Sequence, residues 1–373
     1  MPASVTPLAL FTPIQLGRLM LNHRIVLAPL TRFRADPVTQ AQTLLGDSHA
    51  QYYGQRTTSG GLLISEGVQI SPNAAGYANA PGLWSEAQID AWKPITDAVH
   101  RAGGHIFAQL WALGRAAPPT YEILGTTYVR KSASATSFDE SPHATPLTVE
   151  EIEALVIDFA RAARNAVEQA GFDGVEIHAA NGYLLDQFLQ ASSNKRTDHY
   201  GGTLANRIRF PLAVAEACSA AIGSDRVGIR LSPFSRFQGM GFEPDPMGVF
   251  VPFVEALLDR IPNLAYVHVV EGRVADVDVI DDSETQSLSP LRAVVKNGTT
   301  RFISAGGFSP DTGISTAEET GDLIAYGRFF ISNPDLVERV RNGYELTPYD
   351  RSTFYSPTTK GYTDYPTHST TSL

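Results

Sequence analysis

Three side chains that can take part in chemistry lie close together in the sequence. His178, Asn181 and Tyr183 stand in the segment EIHAANGYLLDQF, residues 176–188, just where a short apolar run ends. Imidazole, carboxamide and phenol groups all form hydrogen bonds, and imidazole and phenol groups also transfer protons. The three side chains could cap a turn, or they could face a substrate.

A helix followed by a strand is the unit that positions such residues in this chain. Ser85 and Gln88 form a capping-box pattern before an apolar stripe with helical spacing, and Gly103 and Gly104 end that stripe. The run HIFAQLW then has the composition of a strand. The same order is repeated from Thr148, where a second capping box precedes a helical stripe and the run GVEIH.

Eight short apolar runs of this kind predict eight strands. They are RIVLAP (24–29), GLLISEG (61–67), HIFAQLW (105–111), GVEIH (174–178), VGIRLS (227–232), AYVHVVE (265–271), RFISAGG (301–307) and LIAYGR (323–328). Nearly continuous apolar runs are typical of strands buried on both faces. The alternation predicts an α/β fold, a closed (β/α)₈ TIM barrel, with an open doubly wound sheet as the alternative.

The rest of the chain predicts one domain over residues 1–373. A lead-in precedes the first strand, and a C-terminal tail begins at about Tyr344. The stretch from Leu113 to Pro146 is rich in Pro, Ser and Thr without clear periodicity, which indicates a long surface excursion.

Composition bounds the functions that the protein can have. Apolar residues make up 43% and charged residues 18% of the 373 positions, as in ordinary globular proteins. The net charge of −10 argues against a nucleic-acid partner. The single cysteine, Cys218, excludes an intrachain disulfide and a thiolate metal cluster. Without a membrane-length apolar stretch or a secretory leader, we expect a cytoplasmic protein with no membrane partner.

The predicted barrel brings the ends of its strands to one shared mouth, where barrel enzymes build their active sites. Polar residues and glycines stand at these ends: Pro29, Leu30, Thr31, Glu66, Gly67, Gln109, Trp111, His178, Asn181, Tyr183, Arg230, Gly306, Gly307, Gly327 and Arg328. Each has a structural explanation, since Gln109 could satisfy a loop carbonyl, Arg230 could form an ion pair and any glycine could serve a turn. Their joint placement favours a common site.

The glycines after the last two strands predict a phosphate site. In barrels, the loops after strands seven and eight commonly bind phosphate through backbone N–H groups and a helix N-terminus, and Gly306, Gly307 and Gly327 allow a close approach. Arg328 can add a bidentate contact. A phosphorylated cofactor is therefore expected. The strand ends lack the His and carboxylate cluster of a catalytic zinc site, so we expect no metal.

The chain closely resembles the Old Yellow Enzyme family of FMN-dependent ene reductases, in its yeast-like, fungal branch. The resemblance is carried nearly end to end by LFTPIQLG, NHRIVLAPLTRFRA, GLLISEG, GYANAPGLWSEAQI, AQLWALGRAA, FDGVEIHAANGYLLDQFLQASSNKRTDHYGG, NRIRF, VGIRLSPF, AYGRFFISNPDL and YDRSTFY. It implies the barrel and a non-covalent FMN at its mouth. NADPH, or NADH, is then the hydride donor.

The resemblance implies a role for each predicted site residue. Pro29, Leu30, Thr31 and Gly67 match neighbours of the flavin ring, Gln109 its pyrimidine edge and Arg230 the cation beside N1 and O2, while Gly306, Gly307, Gly327 and Arg328 match the ribityl-phosphate site. His178 and Asn181 match the paired donors to the carbonyl oxygen of an α,β-unsaturated substrate. Tyr183 matches the proton donor to Cα, with hydride delivered from flavin N5 to Cβ in a ping-pong cycle. Trp111, Tyr77 and Tyr355 match aromatic walls that bind substrate.

The sequence departs from the best-known members at two places. Val277 and Asp278 stand where yeast-like members place an aromatic residue near the pocket, and the 113–146 excursion differs. Similar fungal relatives in secondary pathways either reduce or isomerise an enal, according to whether the proton-donor position is Tyr or Phe. Tyr183 favours reduction. A flavin-dependent isomerase or cyclase is the alternative, and an idle flavin-binding barrel would require a damaged constellation.

Overall fold

A computed structural model describes residues 8–241, 244–272, 274–275, 278–279, 286–296 and 298–368. Its centre is a closed barrel in which eight parallel strands are paired in chain order. The strands are β1 Ile25–Leu27, β2 Leu62–Gln69, β3 His105–Trp111, β4 Gly174–His178, β5 Val227–Leu231, β6 Tyr266–Val270, β7 Arg301–Ala305 and β8 Leu323–Tyr326. All eight predicted strands are present, and the open sheet is excluded because β8 pairs with β1.

Helices surround the barrel and cover the outer faces of the strands. They are α1 Ser48–Gln55, α2 Glu86–Arg101, α3 Val149–Arg164, α4 Leu184–Leu189, α5 Leu204–Arg207, α6 Arg209–Ile222, α7 Met247–Arg260, α8 Ser289–Val295, α9 Pro310–Thr320, α10 Arg328–Ser332 and α11 Leu336–Asn342. Both predicted capping boxes form, at Ser85 and at Thr148. No helix in the described ranges has the length and apolar character needed to cross a membrane.

The core has an outer and an inner layer. The outer layer lies between strands and helices, where Trp92, Phe159 and Phe253 are completely buried. The inner layer fills the barrel and includes Leu16 and Leu21 from the lead-in, which forms an antiparallel hairpin of Ile14–Leu16 and Leu19–Leu21. The lead-in therefore packs into the end of the barrel opposite the mouth.

The excursion after β3 contains a hairpin that the sequence did not predict. Thr120–Ile123 pairs with Thr126–Val129 through a two-residue turn, Leu124 and Gly125, and both turn residues have positive φ, 49° and 77°. This is the backbone that right-twisted hairpins require, but Leu is rare in it, which hid the turn in the sequence. A short parallel pair, Lys131–Ser132 with Thr145–Pro146, follows.

The C-terminal tail begins as predicted, because α11 ends at Asn342 and Gly343 adopts a left-handed conformation with φ 68°. A single turn, Arg351–Thr353, then brings the chain back to the mouth. Of the two residues predicted to depart from the family pattern, Val277 lies outside the described residues. Only the backbone of Asp278 is described, in a short strand, Asp278–Val279, which pairs with Val274–Ala275.

Candidate active site

Two adjoining cavities open at the carboxyl ends of the strands. The first, here the mouth cavity, has a volume of about 670 Å³, and the second, here the glycine cavity, about 760 Å³. They share the wall residues Pro29, Leu30, Arg230, Val270 and Arg328. An elongated molecule can therefore lie across both.

Nearly all of the predicted site residues line these cavities. The mouth cavity contains Pro29, Leu30, Thr31, Tyr77, Gln109, Trp111, His178, Asn181, Tyr183, Arg230, Arg328 and Tyr355. The glycine cavity contains Gly306, Gly307, Gly327 and Arg328, with Pro29, Leu30 and Arg230. Gly67 is the exception. It lies in β2 beside Gln109, where an added Cβ would stand 2.5 Å from Cε3 of Trp111.

The glycine cavity is lined by backbone that can approach an anion closely. Gly306 and Gly307 follow β7 with φ values of 130° and 66°, which side chains other than glycine rarely allow. Ser309, also in the wall, accepts a hydrogen bond from the N–H of Thr312 and begins α9, an eleven-residue helix. Glycine backbone that allows close approach, a helix N-terminus and the charge of Arg328 together fit a phosphate group.

Inside the barrel, a hydrogen-bonded chain of buried polar side chains lies below the mouth cavity. Gln109 Nε2 donates to Glu176 Oε1 at 2.8 Å, and His268 Nδ1 lies 2.7 Å from Glu176 Oε2. Burial alone would raise the pKa of Glu176, but His268 and the positive charge of Arg230 hold that pKa below its usual range. A buried carboxylate thus orients Gln109, whose side chain lines the cavity.

Arg230 supplies a fixed positive charge at the junction of the two cavities. Arg230 lies on β5 and is paired in the sheet with His178 on β4 and with His268 on β6. Burial lowers its pKa, and Glu176 opposes this effect, so the guanidinium group stays charged at neutral pH. Its Nε has no hydrogen-bond partner among the described residues. A buried, unpaired N–H on a cation indicates that a ligand atom with negative charge belongs there.

His178 is neutral because it is buried beside a cation. Burial first, and then the charges of Arg230 and His268, lower its pKa well below the ordinary value. Its Nδ1 lacks a partner within the described part of the chain. The ring is stacked at 26° on Trp111, with the ring centres 6.4 Å apart. A neutral imidazole held in this way can donate one hydrogen bond without carrying charge into the cavity.

Asn181 reaches the cavity from a strained turn. Its φ is +57°, which is uncommon for a residue with a side chain, and Gly182 follows with φ +74°. The Asn181 N–H donates to Ser232 Oγ at 2.7 Å, and the Gly182 N–H donates to Asp186 Oδ2 at 2.9 Å. These two bonds hold the turn, so the polar residues after β4 are placed by the tertiary structure and do not merely cap the strand.

Tyr183 begins α4 and points toward His178. The two ring centres are 5.0 Å apart, and the Trp111 ring meets the Tyr183 ring edge to face at 4.8 Å. Burial raises the pKa of Tyr183 above its ordinary value. The phenol is therefore protonated at neutral pH and can act as a proton donor.

The aromatic wall is larger than the sequence predicted. Besides Tyr77, Trp111 and Tyr355, the mouth cavity is lined by Phe33, Phe237 and Phe354. Phe33 packs against Tyr77 and Tyr355 with ring centres 5.5 Å away in each case. Phe33 lies two residues after Thr31, a spacing that could have indicated a shared face. Phe237 and Phe354 come from loops without a pattern that would have revealed them.

The arrangement defines a class of protein. An α/β barrel with a phosphate cradle, a buried cation and neutral donors under an aromatic wall fits a flavin mononucleotide, with its ring expected at the mouth. Among the residues that the structure describes, no group of three or more His, Cys, Asp or Glu side chains could hold a metal ion. The class is a flavin-dependent barrel oxidoreductase.

The chain belongs to the NADH:flavin oxidoreductase / NADH oxidase family, which it matches over residues 9–347. Flavin oxidoreductase hxnT of Emericella nidulans is 43% identical, over 97% of this chain and 99% of that protein. Chanoclavine-I aldehyde reductase fgaOx3 of Penicillium roqueforti is 48% identical, over 95% of each chain. 12-Oxophytodienoate reductase 1 of Oryza sativa is 45% identical, over 98% of this chain and 94% of that protein.

Solved structures agree with this assignment. The old yellow enzyme homologue from Zymomonas mobilis is 39% identical and superimposes with a TM-score of 0.84, over 96% of this chain and 99% of that one. Morphinone reductase in complex with tetrahydroNAD is 38% identical, with a TM-score of 0.85 over 97% and 98%. The protein is thus an Old Yellow Enzyme homologue with FMN as its cofactor.

Proposed function

We propose that the protein uses NADPH or NADH to reduce the activated C=C bond of α,β-unsaturated carbonyl compounds. The observation that carries this proposal is the neutral His178 next to the protonated Tyr183 in a cavity that is continuous with the phosphate cradle. Three relatives support it, because their names describe an aldehyde reductase, a 12-oxophytodienoate reductase and a morphinone reductase.

Cofactor binding divides between the two cavities. Gly306, Gly307, Gly327 and Arg328 would hold the phosphate of FMN, and Gln109, Arg230 and Thr31 would contact its ring with Pro29 and Leu30. Bound FMN would supply the hydride chemistry that links the nicotinamide to the alkene. Arg230 would stabilise negative charge on the bound ring, because its guanidinium is buried and its position is fixed by its neighbours in the barrel.

Substrate activation depends on His178 and Asn181. Both residues line the mouth cavity together with Tyr183, and both side chains can donate to a carbonyl oxygen. Hydride addition at Cβ moves negative charge onto that oxygen, so donors fixed in advance lower the barrier. Loss of one such donor costs about 3 kcal/mol in comparable sites.

Tyr183 completes the reduction by giving its proton to Cα. Its pKa is raised by burial, so the proton stays on the phenol until charge develops on the substrate. Flavin-dependent isomerisation or cyclisation, the alternative, is not favoured, because Tyr183 is present where a Phe would withhold the proton. The aromatic wall formed by Tyr77, Trp111 and Tyr355 shapes the substrates that enter.

Stoichiometry tests the proposal. Purified protein is incubated with limiting NADPH and a panel of cyclic enones, enals and nitroalkenes, while absorbance and saturated product are followed. One NADPH consumed for each product is expected. Product without matching NADPH consumption would establish the isomerase, and a colourless preparation that does not take up FMN would refute the flavin site.

A further inference from the structure

In residues 31–34, which follow the first strand, alternate side chains lie on opposite sides of the backbone. Thr31 and Phe33 line the mouth cavity. The intervening Arg32 and the next residue, Arg34, lie on the opposite side, and both are completely buried. Phe33 has φ +52°, an uncommon value for a bulky side chain, so this backbone needs support from both sides.

Six hydrogen bonds join the two arginines to carbonyl groups of the C-terminal tail. Arg32 donates to Phe354 O at 3.1 Å and Gly361 O at 2.8 Å, and Arg34 donates to Thr358 O at 2.8 Å, Phe354 O at 2.9 Å, Thr353 O at 3.0 Å and Lys360 O at 3.3 Å. Five carbonyl groups within residues 353–361 therefore point inward, toward two cations.

The tail carbonyls are the main polar partners of these cations. Arg34 stacks on the Tyr362 ring at 4.6 Å, and Arg32 stacks on the same ring at 5.3 Å. The nearby carboxyl group of Glu66 has its pKa raised to about 7 by burial, so it neutralises the pair only in part. A buried cation without a strong carboxylate partner holds its neutral acceptors firmly, because releasing them would leave the charge unsolvated.

The tail held in this way carries part of the substrate wall. Phe354 and Tyr355 line the mouth cavity, and the Tyr355 ring packs on Phe33 at 5.5 Å with a 58° tilt. Tyr355 is 60% exposed, so its own burial contributes little to holding it in place. Its position therefore follows from the backbone of residues 353–361, which the arginines hold.

We infer that Arg32 and Arg34 are positioning residues that set the substrate range of the enzyme by fixing the Phe33–Tyr355 wall from outside the cavity. The inference rests on the proposed ene reductase function for its readout, although neither arginine lines the cavity. A purely stabilising role is the alternative. In that case a change at either arginine would lower the stability of the protein but would leave the position of the Phe33–Tyr355 wall, and hence the substrate range, unchanged.

The experiment compares Arg34→Lys and Arg34→Met with matched changes at Arg339. Arg339 is likewise buried and donates to two carbonyl groups of the tail, Glu345 O and Pro366 O, but these lie outside the cavity wall. Lysine keeps the charge but lacks the planar group that donates several hydrogen bonds at once. If Arg34→Met does not fold, Arg34→Lys alone therefore provides the test.

We expect Arg34→Lys to change the kcat/KM ratio between a small cyclic enone and a bulky enone by at least about fivefold, while Arg339→Lys leaves that ratio within about twofold of wild type. In a Tyr355→Ala background, Arg34→Lys should add almost nothing to the ratio, because the two residues act as one unit. Amide hydrogen exchange over residues 353–361 should increase in the same variant.

Two results would overturn the inference: a wild-type ratio in Arg34→Lys despite lowered thermal stability, or an unreduced effect of Arg34→Lys in the Tyr355→Ala background. The ratio of the affinities for a small and a bulky phenol, measured on the oxidised holoenzyme, tests the selectivity of the wall without turnover. Failure of wild-type protein to reduce any enone would refute the proposed function alone, since phenol selectivity would still report on the wall.

Discussion

Burial sets the protonation of the residues that face the substrate. His178 is neutral because a buried imidazole beside Arg230 cannot easily hold a second positive charge. Tyr183 keeps its proton because burial disfavours the phenolate. The pair can therefore donate hydrogen bonds and one proton at neutral pH without changing its own charge beforehand.

Replacing Tyr183 by Phe removes the proton donor and leaves the ring. We expect alkene reduction to slow by roughly 100-fold or more, as for loss of a general acid, while NADPH oxidation changes by less than about threefold. Stopped-flow absorbance at the flavin band separates the two steps. Tyr77→Phe is the matched control. It also removes a hydroxyl group from the wall of the mouth cavity, but that hydroxyl donates to the backbone carbonyl of Ala116 at 3.0 Å. Equal slowing of both steps in Tyr183→Phe would refute the proton-donor role.

Phenol binding tests the paired donors. A phenolate oxygen resembles the charged carbonyl oxygen of the reacting substrate, so phenols should bind the oxidised enzyme through His178 and Asn181 and give a charge-transfer band. A double Ala variant is expected to weaken binding by at least about 100-fold, since hydrogen bonds to a charged acceptor are worth about 1.5–3 kcal/mol each. An unchanged band in that variant would reject the pair.

At the scale of elements, the contact between β2 and β3 controls the aromatic wall. Gly67 lies under Trp111, and a Cβ at this position would stand 2.5 Å from the indole ring. Gly67→Ala should therefore displace Trp111 and lower kcat/KM for enones by roughly tenfold, an effect of about 1.4 kcal/mol. Gly125→Ala, in the distant hairpin, is the control for general stability. Wild-type kinetics in Gly67→Ala would mean that Trp111 does not depend on this glycine.

The turn between β4 and α4 gives the protein a predictable pH dependence. Burial raises the pKa of Asp186 to about 7, and its Oδ2 accepts the Gly182 N–H. The folded protein therefore keeps a proton on Asp186 that the unfolded chain releases above about pH 4. The contribution of this proton to the free energy of unfolding is fully present below about pH 4 and is lost as the pH rises through about 7.

Asp186→Asn removes that titration and keeps an acceptor for Gly182. The free energy of unfolding of the variant should consequently fall less steeply than that of wild type as pH rises from about 4 to about 7. Urea unfolding of the holoenzyme at several pH values measures the slopes. Glu66, whose pKa is also raised to about 7, accounts for a part of the slope that remains. Identical slopes in both proteins would show that Asp186 is already ionised.

At the scale of the whole molecule, the glycine cavity is built from residues that are far apart in the chain. The expected contacts of the cofactor come from Pro29 near the start and from Gly327 near the end, and both line the glycine cavity. Free FMN at about 100 times its dissociation constant should stabilise the folded protein by about 2.7 kcal/mol and raise Tm by several degrees. Thermal unfolding of FMN-depleted protein, with and without added FMN, measures this; riboflavin, which lacks the phosphate, is the control. An equal shift with both compounds would refute the phosphate cradle.

The sequence by itself determined the barrel and most of the candidate site. Short apolar runs separated by capped helices are local patterns, and a closed barrel places the ends of its strands at one mouth whatever its loops contain. For this reason Gln109, His178, Arg230 and the late glycines could be assigned to one site. The prediction of a single domain over residues 1–373 follows from the same patterns and stays a prediction.

Only the tertiary structure decided how the wall is built and held. The left-handed turn at Leu124 and Gly125, the approach of Phe237 and Phe354, and the bonds from Arg32 and Arg34 to the tail leave no periodic trace in the sequence. The physical reason is that each joins residues far apart in the chain, or uses a backbone conformation that its residue type disfavours alone. Contacts between distant segments stabilise such arrangements, and those contacts exist only after the chain has folded.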